Sequence, residues 1–473
     1  MDRAKFVAGI LATFVIGVLA GYLVSYLGIS DSGSSATATT TGWSLYAGER
    51  HEEALEWFNA ALIHNRNDVS ARTGLGWTLY RLRQLDDAVA AFEAAHNLAP
   101  HFPEPLIGLG FARLDLGDWD LARRSFEHTL AIQDESARAH NGRGWAAFYK
   151  AQEQEDPDSF ERSQLLNDAR QSFQRSVQLE PNHAGSHHGL GSSLYWLELE
   201  KPAGTWGFSD VRASLQAAID LDPDLISARN TLARTSYWED FQKPFDDPER
   251  TFETAIAAFE SILDREPDYA PSWIGLGWAH IGAGQPKQAA DAFEEGLRFA
   301  PNDVNAHAGL GEALYELGSY EAAVSKFKAV LESKPDNPEA QSNVGWAMLR
   351  LGNTEEAITA FNRAIEMGPW FSPYRGLGWA YLMQGQDERA RQNFERAIEL
   401  NPQIGESYLG LAYLEEQHGD NSAAAEWIAR YQSSSYKRGF LYPEFEQCTA
   451  AANGILRPPL VADCVRKATA IAT

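Results

Sequence analysis

The sequence predicts an all-helical solenoid of stacked helix pairs, and three regularities predict it. A Gly-Leu-Gly-Trp tetrapeptide returns in register, at Gly74–Trp77, Gly275–Trp278 and Gly376–Trp379. Glycines recur every 34 residues in long stretches, as in Gly42, Gly76, Gly110 and Gly144. An alanine follows the second glycine by twelve residues in the standard copies, an aromatic residue comes four further on, and often a proline eight beyond that. A period in this range is typical of repeats that stack into one continuous core.

Each period predicts two helices joined by a short turn, because small glycine and alanine residues let the helix backbones approach closely. Proline cannot continue a helix, so the closing prolines should end the second helix of their repeats. These prolines are Pro100, Pro181, Pro223, Pro267, Pro301, Pro335, Pro369 and Pro402. A single pair cannot bury its apolar face alone, so stability should be a sum of contacts between neighbouring pairs.

This pattern resembles the tetratricopeptide repeat (TPR) family over residues 35–431. The small residue that sets the phase of each repeat appears eleven times, at Gly42, Gly76, Gly110, Gly144, Gly191, Ala233, Gly277, Gly311, Gly345, Gly378 and Ala412. Ten repeats carry the small second-helix residue, at Ala54, Ala88, Ala122, Ala169, Ala255, Ala289, Ala323, Ala357, Ala390 and Ala424, and the remaining repeat has Val211 there and Leu215 in place of the aromatic residue. The resemblance implies an all-α, right-handed superhelical solenoid of about eleven helix pairs.

Residues 6–28 carry no charge, and a helix of about 20 residues spans a bilayer. We predict a transmembrane helix there, preceded by a cytoplasmic segment at residues 1–5 and followed by a short linker at residues 29–34. A cleaved signal peptide is the alternative, because Ala36-Thr37-Ala38 resembles a processing site, although signal cores are shorter. Arg3 and Lys5 precede the span, so the positive-inside rule places the solenoid on the extracytoplasmic (periplasmic) side of the inner membrane.

Small residues recur every fourth position along the predicted span, at Gly9, Thr13, Gly17, Gly21 and Ser25. Such a stripe lets helices pack closely in lipid, and Gly17-x-x-x-Gly21 has the form of a dimerisation motif. The span could therefore contact another transmembrane helix. The alternative is that these glycines only reflect the frequency of glycine in membrane helices.

The two cysteines, Cys448 and Cys464, lie in a predicted helical cap at residues 432–473. Two short helices joined by a loop would bring them face to face, and a disulfide there would stabilise the protein by about 3 kcal/mol. A disulfide requires an oxidising compartment, which agrees with the predicted topology. Two buried free thiols are the alternative.

In the TPR family, the residue after the phase-setting position belongs to the ligand-binding groove. Eight repeats have an aromatic residue there, and we call them the groove aromatics: Trp43, Trp77, Phe111, Trp145, Trp278, Trp346, Trp379 and Tyr413. Exposed aromatic rings anchor protein interfaces and would also stack on sugars. The alternative is that the rings pack against the neighbouring repeat and thicken the wall.

Three consecutive repeats carry insertions between their helices, near residues 151–167, 199–210 and 237–251. Insertions in the same turn of adjacent repeats should emerge on one edge of the solenoid. They carry aromatic residues among acidic ones, at Trp206, Phe208, Trp238, Phe241 and Phe245. We interpret this inserted edge as a docking site, and tolerated surface variation is the alternative.

The net charge of −25 argues against nucleic acid as a partner. His183 and His187 have the spacing of a helical metal pair, but no acidic or cysteine ligand lies close in sequence. No phosphate-binding loop or nucleophile elbow is present. We therefore predict no enzyme activity, no cofactor and no metal.

Together these features predict a single-pass, membrane-anchored TPR scaffold that binds proteins in or at the membrane and assembles or stabilises a membrane or envelope complex. The alternative is a glycan-binding module in polysaccharide assembly or export, with the groove aromatics as a sugar track. Sequence does not identify the partner, because TPR proteins share a fold and not a ligand.

Overall fold

The structure, a computed structural model, describes residues 34–154, 159–202, 204–244, 247–403 and 405–434. Within these ranges the regular secondary structure consists of 22 α-helices. They form eleven pairs in the predicted register. The predicted membrane span with its small-residue stripe lies outside the described residues, as do Cys448 and Cys464. No helix among the described residues combines the length and apolar composition needed to cross a membrane.

The chain divides into two compact units at the boundary between Thr235 and Ser236. Odd-numbered helices are the first of each pair and even-numbered helices the second. The first unit contains α1 (Ser35–Ala47), α2 (His51–His64), α3 (Val69–Arg81), α4 (Leu85–Leu98), α5 (Pro103–Leu116), α6 (Trp119–Ile132), α7 (Ala137–Glu153), α8 (Phe160–Leu179), α9 (Ala184–Leu199) and α10 (Ser209–Leu221). Helix α11 (Ile226–Phe241) contains the boundary.

The second unit contains α12 (Glu253–Leu263), α13 (Ala270–Gly282), α14 (Pro286–Phe299), α15 (Val304–Glu316), α16 (Tyr320–Ser333), α17 (Pro338–Arg350), α18 (Thr354–Met367), α19 (Phe371–Met383), α20 (Asp387–Leu400), α21 (Gly405–Gln417) and α22 (Asn421–Ser433). Within each unit, successive helices pack against each other, and first helices of adjacent repeats also touch, as α3 and α5 do.

Proline and capping residues set the helix ends. Helix α4 ends at Leu98, before Pro100, and α14 ends at Phe299, before Pro301. Asp68 and Asp303 are the N-caps of α3 and α15. The Asp68 carboxylate accepts the backbone N–H of Ala71 at 2.9 Å, and the Asp303 carboxylate accepts that of Ala306 at 2.8 Å.

A single left-handed residue makes the turn inside each standard repeat, seven positions after the phase-setting residue. Its φ lies between 58° and 83° at Glu49, Arg83, Gly117, Gly284, Gly318, Gly352, Gly385 and Gly419. Glycine adopts this conformation without strain, which explains its frequency there. The three inserted repeats have Ala151, Glu198 and Asp240 at this position, and their first helices continue through it.

A fully buried phenylalanine of each typical second helix lies between two glycines. A Cβ on Gly76 would lie 2.7 Å from the Phe92 ring, and one on Gly108 would lie 2.3 Å from it. The same arrangement surrounds Phe58, Phe126, Phe173, Phe293, Phe361 and Phe394. The Gly-x-Gly spacing follows from this packing, because the first glycine accommodates the ring of the preceding repeat and the second that of its own.

The insertions differ in kind. The first, predicted at residues 151–167, is largely helical, because α7 continues to Glu153 and α8 begins at Phe160. Ser159 caps α8 by accepting the N–H of Arg162 at 3.2 Å. The second and third are loops between α9 and α10 and between α11 and α12.

Candidate functional site

Seven of the eight groove aromatics, all but Tyr413, pack edge-on against the second helix of their own repeat. Trp43 and Trp77 contact Phe58 and Phe92, in each case with ring centroids 5.3 Å apart. Phe111, Trp145, Trp278, Trp346 and Trp379 make the same contact with Phe126, Phe173, Phe293, Phe361 and Phe394, at 5.0–5.4 Å. T-shaped pairs of this kind stabilise cores beyond the area that they bury. The structure therefore gives these rings a packing role, and their use in binding stays a prediction.

Side chains from the following repeat cover several of these rings. The indole N–H of Trp43 donates to Ser70 Oγ at 3.1 Å, and that of Trp346 donates to Ser372 Oγ at 3.0 Å. The His188 ring lies 5.2 Å from Trp145. Trp346 is 1% exposed and Trp77 and Trp379 are also buried, whereas Trp43, Phe111, Trp145, Trp278 and Tyr413 are half-buried. None of the eight is an exposed ring.

Two arginines cap tryptophans and pair with glutamates on other first helices. The Arg138 guanidinium lies 5.1 Å from the Trp77 ring and contacts Glu104 at 2.9 Å. Arg375, 2% exposed, lies 4.8 Å from the Trp346 ring and 3.0 Å from Glu406. Sequence analysis missed both, although they occur at fixed positions, six and three residues before a phase-setting glycine.

The aromatic series is interrupted at Ser192, Arg234 and Glu312. Ser192 is buried, and the Arg234 guanidinium lies 5.2 Å from the Tyr195 ring and 5.4 Å from the Trp196 ring. Burial, together with the weaker effect of the Glu339 and Glu316 carboxylates, raises the pKa of Glu312 to about 8. The interruptions thus replace aromatic packing with polar groups.

The aromatic residues of the inserted edge differ in exposure. Phe208 is buried, and Trp206 is half-buried with its indole N–H donating to the Lys201 carbonyl at 3.0 Å. Trp238 is half-buried, while Phe241 is 42% exposed and has the Arg250 guanidinium 5.6 Å from its ring. Phe245 lies outside the described residues. Phe241 therefore offers the most accessible of the four rings of this set that the structure describes.

Each loop insertion is held by a nearly buried carboxylate at the position of the ordinary turn. Glu198 is 9% exposed and accepts the N–H of Gly207 at 2.7 Å. Asp240 is 7% exposed and accepts the N–H of Phe252 at 2.8 Å. Lysines three residues onward also donate to these carboxylates, Lys201 at 2.6 Å and Lys243 at 2.7 Å. The hydrogen bond to Asp240 raises the pKa of Lys243.

A shared sequence pattern marks the two loop insertions that Glu198 and Asp240 anchor. Residues 195–202 read Tyr-Trp-Leu-Glu-Leu-Glu-Lys-Pro and residues 237–244 read Tyr-Trp-Glu-Asp-Phe-Gln-Lys-Pro, so Tyr, Trp, the acid, Lys and Pro coincide. In each, the tyrosine ring lies near a buried phenylalanine that precedes the second helix: Tyr195 near Phe208 and Tyr237 near Phe252, with centroids 6.4 Å and 5.4 Å apart. A search for internal similarity outside the standard repeat would have found it.

The histidines considered as metal ligands have structural roles. His183 Nδ1 accepts the N–H of Ser186 at 3.0 Å and so caps α9. His187 Nε2 lies 2.8 Å from the Pro181 carbonyl oxygen and donates to it. Among the described residues, no group of three or more His, Cys, Asp or Glu side chains could hold a metal ion.

Two family models, each described as "Tetratricopeptide repeat", match the chain. One matches residues 39–101, 308–369 and 375–437, and the other residues 79–145, 249–313 and 281–325. Together they span more than half of the 473 residues. No curated protein sequence matches the chain.

The solved structures similar to the chain have low sequence identity to it. The APC/C hetero-tetramer Cut9-Hcn1 has a TM-score of 0.49 at 12% identity, covering 99% of this chain and 96% of that one. Yeast Tom70 has a TM-score of 0.40 at 14% identity, covering 91% and 95%. MamA has a TM-score of 0.30 at 22% identity, covering 32% and 89%. Because these TM-scores and sequence identities are low, the similarity to these structures gives no information about the function of the chain.

Proposed function

Because the chain belongs to the tetratricopeptide repeat family, we propose that it is a membrane-anchored scaffold without catalytic activity, which binds protein partners and assembles or stabilises a membrane or envelope complex. The repeats form an all-helical framework suited to protein–protein interaction, and their stacking leaves long surfaces available. The nature of the complex, the anchor and the periplasmic location are part of the proposal.

The observation that carries the binding proposal is the third insertion, which Asp240 anchors and which presents the exposed ring of Phe241. A nearly buried carboxylate, Asp240, accepts the N–H of Phe252 at the end of the insertion, and this anchoring supports a specific element over tolerated surface variation. At its start, Phe241 keeps 42% of its surface exposed. An exposed aromatic ring on a fixed support gives contact area at low entropic cost.

The groove aromatics are less suited to this role. Trp346 and Trp379 are buried against Phe361 and Phe394, so a partner could reach them only by displacing core contacts. Trp278 and Tyr413 are half-buried and are the more accessible groove positions in the second unit. The net charge of −25 favours a partner with a basic contact surface.

A pull-down with matched variants tests the binding site. Phe241→Ser should lower recovery of the partner at least tenfold when the full chain is purified from its native membrane in mild detergent and analysed by mass spectrometry and sugar analysis. Phe299→Ser is the control, because Phe299 is also 42% exposed and also lies beside an arginine, Arg298. Unchanged recovery with Phe241→Ser would contradict the site, and polysaccharide without a stoichiometric protein would contradict the scaffold.

Membrane extraction tests the anchor and its topology. With residues 6–28 as an uncleaved span, the chain should resist alkaline carbonate extraction, and deletion of residues 1–30 should release it. A protease added from the extracytoplasmic side should degrade the repeats. Release of the full chain by carbonate, or protection of the repeats from that protease, would contradict the anchored periplasmic arrangement.

A further inference from the structure

Two histidines on the second helices of adjacent repeats contact each other. His96 on α4 and His128 on α6 have ring centroids 5.1 Å apart, with the ring planes at 85°. Neither ring has a hydrogen bond or an ion pair with a described residue, and the Nδ1 atom of His96 is buried. Six other histidines do have a hydrogen-bonded ring nitrogen: His140, His183, His187, His280, His307 and His418. The pair therefore brings together two imidazole rings whose nitrogens the rest of the described chain leaves available.

His96 occupies a position that is aliphatic in most repeats. It lies eight residues after Ala88, the small residue of its second helix. Nine other repeats carry leucine, isoleucine or valine at this position: Leu62, Leu130, Val177, Ile219, Leu263, Leu297, Leu331, Ile365 and Ile398. Leu62 and Leu130 pack against the core of their repeats. A buried ring nitrogen without a partner costs stability that an aliphatic side chain does not, so a compensating interaction is expected at His96.

The separation of the two rings suits a shared transition-metal ion. Imidazole nitrogen is a ligand that Zn²⁺, Cu²⁺ and Ni²⁺ prefer, whereas Mg²⁺ and Ca²⁺ prefer oxygen. Two imidazole rings on one tetrahedral Zn²⁺, with Zn–N bonds of about 2.1 Å, have their centroids about 5 Å apart. His128 is exposed, so its ring can turn a nitrogen toward the ion without displacing packed neighbours. Among the described residues no third His, Cys, Asp or Glu side chain joins the pair, so water would fill the remaining positions.

We propose that His96 and His128 form a two-histidine site for a divalent transition-metal ion such as Zn²⁺, which links the second helices of repeats two and three. Both ligands lie within the first unit, and the site is independent of the binding site proposed around Phe241. An ion held by one residue on each helix binds the stacked repeats and not the separated ones. Metal binding therefore stabilises this junction by mass action.

Isothermal titration calorimetry of the full-length chain with Zn²⁺ tests the site. The wild-type protein should bind one Zn²⁺ ion that neither His96→Leu nor His128→Ala binds. Both changes introduce the residue that the neighbouring repeat carries at the same position, Leu130 and Ala94 respectively, so the fold should be kept. His64→Ala is the matched control, because it removes a single exposed histidine from the end of α2, and it should bind Zn²⁺ as the wild type does.

Hydrogen exchange measured by mass spectrometry shows where the ion acts. At a Zn²⁺ concentration about tenfold above the dissociation constant, protection of peptides from α4 and α6 should rise about tenfold in the wild type. Mg²⁺ at the same concentration should leave their protection unchanged. Zn²⁺ bound elsewhere on this acidic chain should be the same in all four proteins, so the comparison between them isolates the pair.

Equal Zn²⁺ binding by all four proteins would overturn the site. Loss of the ion in only one of His96→Leu and His128→Ala would overturn it as well, because one histidine would then bind without the other. A rise in protection that Mg²⁺ also produces, or that persists in both pair variants, would assign the effect to general charge and not to imidazole ligands.

Discussion

The Phe92 ring meets Gly108 so closely that a Cβ on the glycine would lie 2.3 Å from Cε1 of the phenylalanine. Phe92 belongs to α4 of repeat two and Gly108 to α5 of repeat three, so this contact joins neighbouring repeats. The same ring also meets Gly76 of its own repeat. Each such ring is thus the unit of contact from which a stack of repeats gains its stability.

Gly108→Ala should destabilise the junction between repeats two and three by about 1–3 kcal/mol, because the added methyl group forces the buried ring from its position. Hydrogen exchange of α4 and α5 measures this locally, which suits a repeat protein that need not unfold in one step. Gly48→Ala is the control, because a Cβ there would meet its nearest atom at 3.5 Å. Equal effects of the two changes would contradict the close packing of the Phe92 ring between Gly76 and Gly108.

The register of the fold could be predicted from sequence because glycine, alanine and proline act locally or at a fixed spacing. The burial of Trp346 could not, because it depends on Ser372 and Arg375, which approach only when the next repeat stacks. The pattern showed which position the tryptophan occupies and not what covers it. The repeat pattern therefore predicts the helices and their register, but it does not predict which side chains pack together where two repeats meet.

The insertions were predicted by spacing, but not their construction. The standard turn needs a left-handed residue, such as Gly117 with φ of 83°. Where Glu198 or Asp240 replaces it, the helix continues and the carboxylate anchors the loop that follows. The hydrogen bonds that show this anchoring join residues nine positions apart in the second insertion and twelve positions apart in the third. From the sequence, one can see only that the two segments are similar.

Asp240→Ala should destabilise the third insertion by about 1–3 kcal/mol, because the buried N–H of Phe252 loses its acceptor. Asp240→Asn should cost less, since its amide oxygen can still accept this N–H. Hydrogen exchange across residues 247–252 checks both changes. Glu253→Ala, which alters an exposed acid beside the same loop, should leave protection unchanged. Unaltered exchange in Asp240→Ala would show that the carboxylate does not hold the insertion.

Arg375→Met should destabilise the second unit by about 3–5 kcal/mol, because the largely buried Glu406 carboxylate then loses the charge of the Arg375 guanidinium. The Arg375→Met, Glu406→Gln double variant should recover much of this loss. Thermal unfolding of the four proteins of the cycle gives the coupling. Arg396→Met, which breaks an exposed pair with Glu399, should change stability by less than about 1 kcal/mol. Additive effects of the two changes would contradict a coupled buried pair.

His188 should make stability depend on pH on the acidic side. Burial against Trp145 lowers the pKa of His188 from 6.5 to about 4, so the unfolded chain binds a proton that the folded chain excludes. Stability should thus be fully present above pH 6.5 and be lost as the pH falls toward 4, by on the order of 1–3 kcal/mol. Urea unfolding of the wild type and of His188→Gln between pH 4 and pH 7 measures the difference. His101→Gln, at an exposed position, should keep the wild-type profile, and a His188→Gln profile as steep as the wild type would assign the acid sensitivity to other groups.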